Sequence, residues 1–259
     1  MNIGIVGFGT VGQALERLFV RGGHRVTSYD KYDGERDSQR CLDAVNSGDL
    51  AFVAVPTPFD ERTGSCDVSS VREAVERIAV PLCIKSTVPP GTTDALIRET
   101  GKPIGYSPEY IGEAPGHPWQ EADACGFVVL AGDPSVCALV RSAYASSAAG
   151  ELRYVEVDAR AAELAKYMEN SFLATKVAFV NQFADLAALA GIDFTTVRDV
   201  FLLDPRVGES HTLVTAERGF GGRCLPKDLR SLMAWSGEAQ APLIRAVLAF
   251  NERPAAVSR

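Results

Sequence analysis

The stretch Asn2-Ile3-Gly4-Ile5-Val6-Gly7-Phe8-Gly9-Thr10-Val11-Gly12 decides the fold. The apolar run Ile3–Val6 leads directly into a G-x-G-x-x-G, and Val11–Arg21 then repeats apolar residues at helical spacing. In such a strand-to-helix turn the first glycine permits the tight turn and the second lets backbone approach a pyrophosphate. The third lets helix and strand pack closely. Phosphates then sit at a helix N-terminus, where unpaired N–H groups and the dipole favour anions. The second strand ends at Asp30, 18 residues beyond Gly12. A carboxylate there binds both ribose hydroxyls and repels a 2′-phosphate, so NAD is expected over NADP, with Lys31 softening that repulsion. Gly7, Phe8, Gly9, Thr10, Val11, Gly12, Asp30 and Lys31 are the cofactor-binding candidates of this turn.

Outward from that unit, β-branched runs alternate with helical stretches as far as residue 157. The runs are Arg25–Ser28, Leu50–Val55, Leu82–Ser86, Pro103–Tyr106, Phe127–Leu130 and Arg153–Val157. The helical pattern recurs in Val68–Ile78 and Ser135–Ala148. Runs apolar on both faces and separated by helices predict a doubly wound parallel α/β sheet of Rossmann type. From Asp158 to Ala190 the pattern becomes one long helix, with Asp158 as N-cap and Gly191 as stop. The remainder reads as helices broken by Gly219–Gly222, so a cofactor domain, 1–157, and an all-α domain, 158–259, are expected.

The bulk properties exclude several classes. With 259 residues, 46% of them hydrophobic and 23% charged, the chain has enough material for two modest domains. A net charge of -7 argues against a broad nucleic-acid or acidic-membrane surface. The six cysteines include no C-x-x-C and read as reduced thiols, and His24, His117 and His211 are not spaced for a metal. No basic-then-apolar leader precedes the first strand, so a cytoplasmic location is expected.

Chemistry concentrates in Gly219-Phe220-Gly221-Gly222-Arg223-Cys224-Leu225-Pro226-Lys227-Asp228. Glycines leave the backbone open to a ligand, while Lys227 and Asp228 bring a cation and a carboxylate close to a thiol. A nearby ammonium favours the thiolate, which is the nucleophilic form. This segment resembles the G-F-G-G-x-C-x-P-K-D of the UDP-glucose/GDP-mannose dehydrogenase family. Val55-Pro56-Thr57-Pro58 is similar to that family's V-x-T-P loop, and Lys85-Ser86-Thr87-Val88-Pro89-Pro90-Gly91-Thr92 to its K-S-T-V-P-x-G-T. Ser107-Pro108-Glu109-Tyr110-Ile111-Gly112-Glu113 resembles S-P-E-F-L-x-E, and Glu163–Ala174 resembles E-L-x-K-x-x-x-N-x-F-L-A. Asp204-Pro205-Arg206-Val207-Gly208 resembles D-x-R-I-G, and all of these motifs come in the family's order.

The resemblance implies a four-electron oxidation of a primary alcohol, such as that of a nucleotide sugar, through an aldehyde and a thioester on Cys224. Lys166 and Asn170, four apart on a helix, would stabilise developing oxyanions. Glu113 would transfer the proton, Thr87 would hold a water or share the proton, and Asp228 would orient the hydrolytic water. Val55, Thr57, Thr87 and Lys227 join the cofactor set. Substrate contacts are expected from Glu109, Tyr110, Ile111, Glu113, Lys166, Asn170, Phe220 and Gly221, with Arg206 reaching a neighbouring subunit of a homodimer.

Departures fall on substrate recognition. The family's second Rossmann-like domain, which clasps the nucleotide, is expected to be absent, since the sequence ends near Phe250–Arg253, where its linker would begin. Ser210-His211-Thr212 stands where an apolar pair is usual, and the segment between Arg206 and Cys224 is two residues longer than the pattern. Two other readings share these residues: a two-electron dehydrogenase of β-hydroxyacid type, and a non-catalytic NAD-binding remnant. Cys224 separates the first of these, because simple alcohol oxidation needs no thiol.

Overall fold

Alternation along each strand sorts the apolar residues onto the two faces of one sheet. The computed structural model describes residues 1–112 and 119–253. In chain order the elements are β1 (Asn2–Val6), α1 (Thr10–Arg21), β2 (Arg25–Tyr29), α2 (Gln39–Asn46), β3 (Leu50–Val53), β4 (Phe59–Asp60), β5 (Ser65–Cys66), α3 (Ser69–Arg77) and β6 (Leu82–Ile84). There follow α4 (Thr92–Thr100), β7 (Ile104–Tyr106), β8 (Phe127–Gly132), α5 (Pro134–Ala145), β9 (Arg153–Glu156), α6 (Ala159–Leu189), α7 (Phe194–Phe201), α8 (Leu225–Ser236) and α9 (Pro242–Asn251). They divide into one unit of Met1–Pro58 with Cys66–Lys166 and another of Phe59–Ser65 with Tyr167–Arg259.

In the first unit, Ile3, Ile5, Leu50, Phe52 and Cys83 pack with Leu15, Leu18 and Phe19 of α1 and Val140 and Tyr144 of α5. Their strand neighbours Val6, Ala51, Val53, Leu82 and Ile84 pack on the other face with Val45 of α2, Val75 of α3 and Leu96 of α4. This period-two sorting is what makes the strands read as continuous apolar runs. The seven-stranded sheet has the order β2-β1-β3-β6-β7-β8-β9. The expected parallel sheet is found with one exception, since β7 and β8 pair antiparallel. A parallel pairing needs a crossover, usually a helix, and none lies between these strands among the described residues. The first strand and α1 meet at Gly7, and β1 lies between β2 and β3. That arrangement places the glycine turn at the carboxyl end of the sheet, where open α/β sheets bind ligands.

The long helix is present as α6, 31 residues or roughly 47 Å at 1.5 Å per residue. Asp158 caps it, its Oδ1 accepting from Ala161 N at 2.9 Å, and Gly191 follows it with φ +68°. Among the described residues α6 is the one helix long and apolar enough to cross a bilayer. Buried Glu163, Lys166, Asn170 and Asn181 make it a core helix of the fold instead. In the second unit, Ala174, Val177 and Ala178 of α6 pack with Phe220, with Leu229 of α8, and with Val247 and Leu248 of α9. Helices dominate there as expected; the short β4–β5 pair adds a two-stranded sheet that the sequence did not announce.

Candidate active site

Two of the three glycines of the turn, Gly7 and Gly12, have a steric reason. Gly7 has φ +91°, and a Cβ on it would lie 2.4 Å from Ala54 O; on Gly12 it would lie 2.2 Å from Gly7 O. At Gly9, the residue before α1, a Cβ would meet nothing within 4 Å, and no side chain caps the helix. The α1 N-terminus is therefore open to an anion, with Thr10 and Val11 in its first turn. Asp30 Oδ2 accepts from Phe8 N at 2.7 Å and its Oδ1 from Tyr32 N at 2.8 Å, which fixes the carboxylate against the turn. Gly7, Asp30, Lys31 and Val55 line one open cleft. These features fit the adenosine and phosphates of NAD. Arg36, which the sequence reading passed over, lies with its guanidinium 3.8 Å from the Phe8 ring centroid and donates to Ser28 Oγ at 3.1 Å.

The V-x-T-P and K-S-T-V-P loops are tied to each other. Thr57 Oγ1 donates to Thr87 O at 2.7 Å, and Ser86 Oγ to Val55 O at 2.7 Å. Lys85, quoted in the motif but given no role, is buried, with its Nζ 3.1 Å from Glu109 Oε2 and 3.1 Å from Tyr144 Oη. Burial works to lower the lysine pKa, but Glu109 and Tyr144 outweigh it and the net direction is upward. Glu109 thus faces an internal cation, and its Oε1 also accepts from Tyr110 N at 2.8 Å. Tyr110 stacks at an angle on Phe127, centroids 4.8 Å apart, and Ile111 packs into the sheet core.

On α6, Glu163 is fully buried and serves α4. Its carboxylate accepts from Gly91 N at 2.5 Å, Thr93 N at 2.8 Å and Thr93 Oγ1 at 2.7 Å. A side chain distant in sequence thereby satisfies the unpaired donors of that helix start. Lys166 is buried one turn further along α6, its Nζ 4.5 Å from the Tyr110 ring centroid. An ammonium over an aromatic face is attracted by the ring quadrupole, which helps hold Lys166 in place.

In the second unit, Cys224 is exposed at the N-cap of α8, with Pro226 in the first turn. Negative charge on sulfur is favoured at a helix N-terminus. Asp228, one turn into α8, is buried; it accepts from Asn170 Nδ2 at 2.5 Å and forms an ion pair with Lys227. Two anchors missed in the sequence hold the glycine loop. Asn251 Oδ1 accepts from Phe220 N at 2.7 Å while its Nδ2 donates to Phe220 O at 2.8 Å. Arg218, with φ +51°, donates to Asn181 Oδ1 at 3.1 Å and pairs with Asp185. Gly219, at φ +136°, could not carry a Cβ, which would lie 2.4 Å from Asn251 Oδ1; Gly221 is open on its flank. Arg206 is largely exposed and pairs with Asp204 at 2.5 Å. Glu113 lies outside the described residues. Among the described residues, no group of three or more His, Cys, Asp or Glu is placed to hold a metal.

Residues 34–137 match the NAD binding domain of the UDP-glucose/GDP-mannose dehydrogenase family, and residues 160–253 match its central domain. A UDP-glucose 6-dehydrogenase of Pseudomonas aeruginosa is 33% identical over 82% of this chain, and one of Rickettsia typhi is 30% identical over 90%. The chain spans 50% and 62% of the length of those two relatives. A solved UDP-glucose dehydrogenase from Pyrobaculum islandicum superposes with a TM-score of 0.79 at 26% identity, over 97% of this chain and 68% of that one.

Proposed function

Because the chain belongs to the UDP-glucose/GDP-mannose dehydrogenase family, we propose that it oxidises the primary alcohol of a nucleotide sugar, or of a related polar alcohol, to a carboxylate. Residues 1–157 are assigned to NAD, and 158–259 to the thiol chemistry and to homodimer contacts. The observation that carries the reading is Cys224, exposed at the start of α8 beside an Asp228 held by Asn170 and Lys227. A two-electron alcohol oxidation has no use for such a thiol.

NAD, when bound, takes up the hydride released at each of the two oxidations. Cys224 Sγ adds to the aldehyde carbon and forms a C–S bond, giving a thiohemiacetal. Oxidation of that adduct leaves a thioester; water then attacks its carbonyl carbon, the C–S bond breaks, and the thiolate returns. One alcohol, one water and two NAD give one carboxylate, two NADH and three protons. Lys166 and Asn170 are assigned to the oxyanions, Asp228 to the attacking water, and Thr87 with Glu113 to proton transfer. Glu109, Tyr110, Ile111, Phe220, Gly221 and Arg206 are assigned to the substrate side. A cytoplasmic site of action suits a small-molecule substrate and reduced thiols.

The test is a panel of nucleotide sugars, incubated singly with the chain and NAD while absorbance of NADH is followed. Two NADH per molecule of acid support the reading. One NADH with a free carbonyl product, or no turnover of any nucleotide sugar by a preparation that binds NAD, counts against it.

A further inference from the structure

The cleft beside the glycine turn is lined by two carboxylates, Asp30 and Glu73, and two cations, Lys31 and Arg77. Lys31 directly follows the ribose-binding Asp30, which places it where an ammonium could meet a 2′-phosphate. Instead, its Nζ lies 2.6 Å from Glu73 Oε2, on α3. Arg77, one turn further along α3, lies 3.4 Å from Glu73 Oε1 and donates to Tyr29 Oη at 2.7 Å. Its guanidinium also sits 4.9 Å from the Tyr29 ring centroid. The hydrogen bond from Lys31 to Glu73 holds Glu73 below the usual carboxylate range and Lys31 above the usual ammonium range. Both cations are thus engaged by one carboxylate.

We propose that Glu73 is a specificity-determining residue of the cofactor site, withholding Lys31 and Arg77 from a 2′-phosphate so that exclusion of NADP is shared between Asp30 and Glu73. The inference rests on reading this cleft as the adenosine end of an NAD site. With Glu73 the four formal charges cancel; without it the cleft carries a net positive charge, which is what a phosphate of nearly two negative charges requires.

The experiment titrates NAD and NADP separately into the whole chain by calorimetry, for wild type, Glu73→Gln, Glu73→Ala, Asp30→Ala and the double variant Glu73→Gln/Lys31→Gln. Both Glu73 variants should lower the ratio of the NADP to the NAD dissociation constant by about tenfold, an effect moderated by partial exposure of the pair. The double variant should lose most of that gain, and added salt should reduce it. If both Glu73 variants keep the wild-type ratio while Asp30→Ala lowers it, the role of Glu73 is refuted and the NAD site stands. If wild type binds neither cofactor, the reading of the cleft fails and this inference with it.

Discussion

Asn170 Nδ2 donates to Asp228 Oδ2 at 2.5 Å, joining α6 to α8 four residues after Cys224. Both side chains are buried, and Lys227 takes the other carboxylate oxygen. A buried carboxylate needs these donors, because desolvation without them is costly. Asn170→Ala should therefore lower unfolding stability by about 1–3 kcal/mol and slow acid formation. Asn170→Asp should be worse, since it sets like charges in contact, while Asn170→Asp/Asp228→Asn should recover stability. Urea unfolding midpoints read all three; an Asn170→Ala variant as stable as wild type would show that the bond does not hold α8.

Glu163 gives a stability effect with a defined pH sign. Burial pushes its carboxyl above the ordinary 4.5, although the Thr93 and Gly91 donors pull the other way. A folded pKa above the unfolded one means that the contribution is full below about 4.5 and is lost as pH rises through the folded value. The wild-type minus Glu163→Gln difference in unfolding free energy should accordingly fall as pH climbs from 4.5 toward neutrality. Glu163→Ala, which leaves the donors at the α4 start without their acceptor, should cost about 0.5–2 kcal/mol. A wild-type minus Gln difference that stays flat or grows over that range is the contrary result.

The legible parts were those written in local order. The strand–glycine–helix turn, the cap at Asp158 and the stop at Gly191 each depend on near neighbours, so spacing alone exposes them, and Asp30 was marked by its place at the end of the second strand, 18 residues beyond Gly12. What sequence could not give are pairings across distance. Lys85 with Glu109, Glu163 with the α4 start, and Asn251 with Phe220 join residues 24, 70 to 72, and 31 positions apart. Each residue stood inside or beside a quoted stretch, yet only packing assigns its partner. Likewise α2 is only eight residues long, too short for its helical spacing to stand out over the windows in which periodicity is read.

The α6 surface that leaves apolar groups exposed predicts the oligomer. Val177, Val180 and Ala184 point inward, whereas Met168, Phe172, Phe179, Phe183 and Leu186 remain exposed along the same helix. Phe179 lies 4.7 Å from Phe183 and 6.2 Å from Phe201, so the patch is continuous with α7. These side chains are already partly covered, so burying the exposed remainder of each contributes about 1–2 kcal/mol, and it is the patch as a whole that favours a homodimer. Light scattering should report a dimer for wild type and a monomer for Phe179→Glu. A monomeric wild type at assay concentrations removes the homodimer from the proposal.

Cys224 carries the sharpest prediction because aldehyde oxidation by hydride loss first needs a tetrahedral adduct. A thiolate at the α8 start forms that adduct more readily than water does at neutral pH, and a thioester hydrolyses faster than an ester. Cys224→Ala should lower acid formation by about a thousandfold or more, while weak alcohol oxidation can survive. Cys224→Ser should be slow in both halves, since a hydroxyl is the poorer nucleophile and its ester the slower to release. Rapid quenching of wild type should reveal an acyl adduct on Cys224 by mass spectrometry, and Asp228→Asn should lengthen its life if Asp228 orients the hydrolytic water. A wild type that stops at one NADH and a free carbonyl, together with a fully active Cys224→Ala, would replace the thioester route by a two-electron dehydrogenase in which Lys166 and Asn170 alone serve the reacting oxygen.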